Sequence, residues 1–213
     1  MAKKTGSSKR WLSRHAKDTY VEAAKNSGFR SRASYKLIQV QEKYGVLGAG
    51  QTVVDLGAAP GGFSQVARDL VGEKGSVIAL DLLDMEPLSG VHFIKGDFTE
   101  ESTLKQLLQF LDGQAADLVI SDMAPNLSGM KDIDQPRSMY LVELAVDVST
   151  RILRPGGSLL VKCFEGSGID EVRRSFRESF QQFNNYKPEA SRSRSREVYL
   201  LGRGFNNAET DFL

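Results

Sequence analysis

Residues Asp55 to Phe63, D-L-G-A-A-P-G-G-F, decide how the rest of the chain is read. They follow the apolar run Thr52-Val53-Val54, the pattern of a strand buried on both faces of a parallel sheet. A strand that runs into Gly57 and Pro60-Gly61-Gly62, with a helix starting near Ser64, makes a tight strand–loop–helix turn. Glycines let such a backbone approach a ligand at the carboxyl end of the sheet, where open α/β folds bind cofactors. A glycine-rich turn alone is also an ordinary βα connection, so the exact residues matter. The dinucleotide fingerprint G-x-G-x-x-G fails, because Ala59 takes its second glycine position. A phosphate-cradling loop needs Gly-Lys-Ser/Thr, and Phe63 stands where the lysine belongs. What remains is a cofactor loop with an acid before it and no demand for phosphate.

Working outward, three further strands end near an acid. Ser76–Leu80 is apolar and ends at Asp81, twenty residues after Gly61, the spacing at which a carboxylate accepts ribose hydroxyls. Val91–Ile94 leads into Gly96-Asp97-Phe98, where an aspartate can accept from an amine or a ring edge. Leu118–Ile120 runs into Ser121-Asp122 and then Met123-Ala124-Pro125-Asn126. Each carboxylate alone reads as solvated. Asp55, Asp81, Asp97 and Asp122 together, all at strand ends, read as a nucleoside pocket.

At this level of detail the chain resembles a known family. D-L-G-A-A-P-G-G-F-S-Q, S-D-M-A-P-N-L-S-G and S-R-S-R-E-V-Y are similar to the FtsJ family of S-adenosylmethionine-dependent RNA ribose 2′-O-methyltransferases, with likeness from about Arg10 to Gly202. The resemblance implies an α/β, Rossmann-like class I methyltransferase fold: seven mostly parallel strands, the last antiparallel, with helices on both faces. It implies transfer of a methyl group from S-adenosyl-L-methionine, leaving S-adenosyl-L-homocysteine, to a uridine 2′-hydroxyl in the A loop of 23S large-subunit ribosomal RNA. It places cofactor contacts on Gly61, Phe63, Asp81, Asp97 and Asp122, and a catalytic Lys-Asp-Lys-Glu set on Lys36, Asp122, Lys162 and Glu197. Bacterial members often carry tryptophan where Phe63 stands; phenylalanine keeps the apolar face and loses the indole N–H. The implied chemistry needs a proton acceptor. An ordinary lysine, pKa about 10.4, is protonated at neutral pH, but a second ammonium about 6 Å away disfavours that charge by ~3 kcal/mol at an effective dielectric of about 20. The carboxylates oppose this effect. Lys162 is assigned as the acceptor, with Lys36 and Glu197 positioning the ribose. The same transfer on transfer RNA or a messenger RNA cap is the alternative, as is a non-catalytic rRNA-binding assembly factor. A binding protein has no need of all four catalytic residues.

Composition agrees. A chain of 213 residues with 40% hydrophobic content buries one full-sized core, and a monomer is expected. The net charge of +1 hides a polarity: residues 1–36 hold ten Lys/Arg against Asp18 and Glu22, net +8, and the remainder is −7. Trp11, Tyr20, Phe29 and Tyr35 lie among those charges and offer stacking surfaces to RNA. A second basic run, Arg192-Ser-Arg-Ser-Arg196, ends at Glu197. The expected organisation is a basic N-terminal arm over residues 1–30, partly flexible, a methyltransferase domain over 31–203, and a tail over 204–213. Cys163 is the only cysteine and His15 and His92 the only histidines, so no metal is expected. No apolar run suits a membrane span or a signal peptide, and a cytoplasmic location is expected. Helices are predicted for 32–43 with Ser31 as cap, 64–70, 101–111, 136–153 with Pro136 in its first turn and Pro155-Gly156-Gly157 ending it, and 173–183. Residues 158–161 and 197–201 are the fifth and final strands.

Overall fold

In the computed structural model, residues 19–126 and 128–206 are described. Trp11, His15 and most of the charge assigned to the N-terminal arm lie outside them, as does the tail beyond Asn206. Two helices precede the sheet, α1 (Thr19–Asn26) and α2 (Ala33–Tyr44). Alternation of strand and helix follows: β1 (Thr52–Leu56), α3 (Gly62–Val71), β2 (Ser76–Asp81), β3 (Val91–Lys95), α4 (Glu101–Leu111), β4 (Ala116–Ser121), α5 (Lys131–Ile152), β5 (Leu153–Phe164), α6 (Ile169–Ser179), β6 (Phe180–Tyr186) and β7 (Glu197–Phe205). The seven strands form one sheet in the order β3-β2-β1-β4-β5-β7-β6. β1 to β5 are parallel, and β7 runs antiparallel to both β5 and β6.

Burial explains why the strands read as continuous apolar runs. One cluster, with Leu56, Ile78, Val119, Leu159 and Phe176, fills one face of the sheet; a second, with Leu37, Val53, Phe63, Leu118 and Tyr199, fills the other. Val53 and Val54, adjacent in β1, belong to opposite clusters, the period-2 alternation of a strand covered on both sides. The chain leaves β1 toward β2 on one side, while β4 joins on the other. That reversal opens a crevice at the carboxyl ends of β1 and β4, the place where doubly wound sheets bind ligands.

Three expectations are corrected. Residues 180–183 are strand, not helix. Val172, Phe176, Phe180 and Phe183 continue a helical spacing across the boundary, yet Phe180 opens β6, and its ring and that of Phe183 pack on Phe176, with centroids 5.3 and 5.8 Å away. Helix α5 begins at Lys131, five residues before Pro136, which lies inside the helix. Its start is fixed by the buried Asp134 carboxylate, which accepts from Ser128 N–H, Ser128 Oγ and Gly129 N–H at 2.8–2.9 Å. The helix ends at Ile152, so Pro155-Gly156-Gly157 lies within β5 beside a register shift against β4. At α2 the N-cap position is Arg32, not Ser31; Ser31 lies one residue earlier, and its Oγ accepts from the N–H of Ala33, the first helical residue, at 3.2 Å.

Candidate active site

The 55–63 loop is built against the sheet by specific bonds. Gly57 takes φ +75° and Gly61 φ +103°, conformations that side chains rarely adopt. A Cβ on Gly57 would meet Met123 Cγ at 2.2 Å, so the β1 and β4 loops touch only because that side chain is missing. Asp81 holds the loop from the next strand, accepting from Ala59 N–H and Leu83 N–H at 2.8 Å each. Arg30 clasps it from outside, donating to the carbonyls of Pro60, Glu86 and Pro87. Asp55 is buried beneath it and accepts from Ser64 Oγ at 2.6 Å, while its Oδ1 has no partner. Burial pushes this carboxyl up to about 7, against the Ser64 bond, with the charges of Asp122 and Asp81 adding to the rise.

A cavity of about 590 Å3 opens above this loop, lined among others by Asp55, Phe63, Asp122, Lys162 and Glu197. Four elements deliver its polar groups. Asp122 directly follows β4, Lys162 lies in β5, Lys36 on α2, and Glu197 opens β7. The registers do the placing: Ser121 pairs with Val161, Lys162 with Tyr199, and Phe164 with Glu197. Lys162 Nζ lies 2.8 Å from Asp122 Oδ1 and also donates to the Asp122 carbonyl oxygen. Lys36 Nζ lies 2.9 Å from Glu197 Oε1 and 3.7 Å from Asp122 Oδ1. All four sequence-predicted catalytic residues therefore meet in one network of two ammonium groups and two carboxylates. Burial alone would push the Asp122 carboxyl up, but the Lys162 and Lys36 charges hold it below its ordinary value. Glu197 is likewise held low, burial being outweighed by the charge and bond of Lys36.

The remaining expected residues divide. Phe63 lines the cavity, its ring buried and stacked 6.2 Å from that of Tyr199. Gly61 caps the start of α3 behind the cavity wall, and Asp81 stands behind Ala59. Asp97 lies further along the sheet edge and accepts from the N–H and Oγ1 of Thr99. Arg32, Arg192 and Arg194 also line the cavity, so both basic runs reach it. Among the described residues, the interleaved aromatics pack on one another: Tyr20 and Phe29 lie against Tyr35 with centroids 5.4 and 5.5 Å away. Sequence reasoning missed Tyr199, which is fully buried and donates to Asp122 Oδ1 at 2.5 Å. Burial and the neighbouring Asp122 carboxylate keep its hydroxyl protonated far above the usual range. The signal was available, since Tyr199 follows Glu197 by two residues and shares its strand face. Among the described residues, no group of three or more His, Cys, Asp or Glu is placed to hold a metal, and no helix is long and apolar enough to cross a membrane.

A doubly wound sheet of this order, with a glycine loop and acid-lined cavity at its switch point, defines a Rossmann-like fold of the methyltransferase type. Residues 29–205 match the FtsJ-like methyltransferase family, and the chain belongs to that family. A relative from Alkalilimnicola ehrlichii named ribosomal RNA large subunit methyltransferase E is 56% identical over 203 residues, covering 95% of this chain and 97% of the relative. One of the same name from Pseudomonas aeruginosa is 53% identical over 198 residues, covering 93% and 96%. A Plasmodium falciparum structure described as a ribosomal RNA methyltransferase superposes with a TM-score of 0.75 at 28% identity, covering 83% of this chain and 98% of that one.

Proposed function

We propose that this protein transfers a methyl group from S-adenosyl-L-methionine to the ribose 2′-hydroxyl of a uridine in the A loop of 23S ribosomal RNA, acting in the cytoplasm on the large ribosomal subunit. The observation that carries this reading is the convergence of Lys36, Asp122, Lys162 and Glu197 in one cavity with the glycine loop. The cavity suits the cofactor: Gly57 keeps the wall close and Asp55 Oδ1 is unpartnered; behind Ala59, outside the cavity lining, the Asp81 oxygens are each engaged by one backbone N–H and retain lone pairs for ribose hydroxyls. Gly61, Phe63, Asp81, Asp97 and Asp122 are the residues we assign to holding it. When bound, it supplies a methyl group already activated on a sulfonium centre.

The protein's own task is to hold the hydroxyl in line and accept its proton. Once the Lys162 ammonium of the Asp122 ion pair has released one proton to solvent, the amine has two N–H bonds and one lone pair. Its two acceptors, Asp122 Oδ1 and the Asp122 carbonyl, match the N–H bonds and leave the lone pair for the hydroxyl. The ammonium that forms is then stabilised by the adjacent carboxylate, an interaction stronger after proton transfer than before it. Tyr199 and Lys36 converge on the same Asp122 oxygen, Oδ1, and fix it in place, while Glu197 orients Lys36. Residues 31–203 form the catalytic domain in this reading; the basic segment 1–30 and Arg32, Arg192 and Arg194 engage RNA phosphates, and residues 204–213 are given no role. The test is transfer of labelled methyl groups to purified large subunits, free ribosomal RNA and transfer RNA, with the product mapped to the nucleotide. Label on a 2′-oxygen of an A-loop uridine is expected. Label on transfer RNA alone, or on a base, would refute the assignment.

A further inference from the structure

The segment between β6 and β7, residues 187–196, carries Arg192, Arg194 and Ser195 to the cavity without regular secondary structure of its own. Its position is set at Ala190, which is fully buried, and by side chains of α2 and its N-terminal flank. Ala190 N–H donates to Gln39 Oε1 at 2.9 Å, and Ala190 C=O accepts from the Arg32 guanidinium. Because Ala190 N–H can only donate, it fixes the Gln39 amide with its oxygen toward the loop and its NH2 away from it. That NH2 reaches Tyr20 Oη of α1 at 3.3 Å. Tyr20 also lies under the Arg32 guanidinium, whose carbon is 5.9 Å from the ring centroid. Tyr20 therefore touches both residues that hold Ala190.

We infer that Gln39 is a positioning residue that latches the arginine-bearing loop to the N-terminal helix, so that the register of Arg192 and Arg194 over the cavity depends on α1. The inference rests on the reading that RNA is the substrate. Neither Gln39 nor Tyr20 lines the cavity or touches the four-residue network; Gln39 acts through the loop, and Tyr20 acts through Gln39 and through Arg32, which lines the cavity. Loop backbone between two strands has few internal bonds here: Ser191 N–H to Pro188 C=O, Ser195 N–H to Arg192 C=O, and Lys187 Nζ to Ser195 C=O. Freed from Gln39, it keeps these local turns, the Arg32 bond to Ala190 C=O and the Glu165 N–H bond to Arg196 C=O at its far end, and loses the anchor at Ala190 N–H. RNA then meets arginines that must be ordered at the moment of binding, which weakens binding without altering the chemistry.

Gln39→Met keeps side-chain volume and helix propensity and removes both bonds. It leaves Ala190 N–H buried without a partner, and we expect KM for RNA to rise about tenfold. Turnover at saturating RNA and the affinity for S-adenosylmethionine should stay within about twofold. Gln39→Glu keeps an acceptor for Ala190 N–H and lets the Tyr20 hydroxyl donate, so it should recover most of the loss. Tyr20→Phe should raise KM by a smaller factor, and should add little on top of Gln39→Met if the two act through one latch. Hydrogen exchange at Ala190 N–H reads the latch without reference to function: protection should fall in Gln39→Met and return in Gln39→Glu. Unchanged exchange in Gln39→Met would overturn the latch, as would an RNA KM within twofold of wild type. If the wild type failed to methylate RNA while Ala190 exchange followed this pattern, the proposed function would fail and the latch would stand.

Discussion

Replacing Lys162 tests the chemistry at its centre. Lys162→Met preserves most of the apolar stem of a side chain only 6% exposed and removes the ammonium, 2.8 Å from Asp122 Oδ1. Two effects should separate. Asp122 loses its nearest counter-charge and keeps Lys36 at 3.7 Å and the Tyr199 hydroxyl at 2.5 Å. Breaking a buried pair from one side costs about 3–5 kcal/mol; the surviving partners place the expected loss at the lower end, about 3 kcal/mol. For a chain of this size that lowers Tm by roughly 6–12 °C. Turnover should fall further than stability explains, by about 10²–10⁴-fold, the usual worth of general-base assistance. Single-turnover methyl transfer at a temperature where the variant is folded, with calorimetry for the cofactor and filter binding for RNA, isolates the chemical step. Lys162→Arg should restore part of the Tm and none of the rate, because a guanidinium keeps its proton. Substantial turnover in Lys162→Arg would mean that the residue supplies only a fixed positive charge. Near-normal turnover in Lys162→Met would remove it from the mechanism altogether.

Asp81→Ala should weaken S-adenosylmethionine binding about ten- to a hundredfold, the loss of one or two charge-assisted bonds, with turnover at saturation less affected; calorimetry giving wild-type affinity would take Asp81 out of the pocket. The raised Asp55 carboxyl sets a pH dependence of its own in the ligand-free protein. Between its unfolded value of 3.8 and its folded value of about 7, the native state holds a proton that the unfolded chain has released. Stability from this group is therefore fully present below about 4, falls as pH rises to about 7, and is flat above; the total is at most about 4 kcal/mol. Asp55→Asn should lack that slope in denaturant titrations across the same range, and an identical slope in both proteins would disprove the assignment. Removing residues 1–18, which hold six Lys/Arg against Asp18, should weaken RNA binding and shallow its dependence on salt while leaving cofactor affinity unchanged; an unaltered salt slope would mean that these charges do not meet phosphate.

The amino-acid sequence by itself determined the alternation of strands and helices, the glycine loop and the acids at the strand ends. Those features are local: apolar runs, turn residues and a carboxylate at a fixed spacing from Gly61 announce themselves within a few residues. It also marked Lys36, Asp122, Lys162 and Glu197, but only through resemblance, since nothing local distinguishes Lys36 from any other helix lysine. Tertiary structure decided how they meet. The antiparallel register of β5 and β7 sets Tyr199 opposite Lys162 and Glu197 opposite Phe164, a pairing between segments more than thirty residues apart. No periodicity encodes such a register; it is chosen by which faces bury against the two core clusters. The same cause misled at β6. Val172, Phe176, Phe180 and Phe183 keep a helical spacing in the sequence, and only the partners available to them, α6 packing below and β7 pairing alongside, turn the second half into strand. Tyr20, Gln39 and Ala190 lie up to 170 residues apart, and only folding brings them to hydrogen-bonding distance.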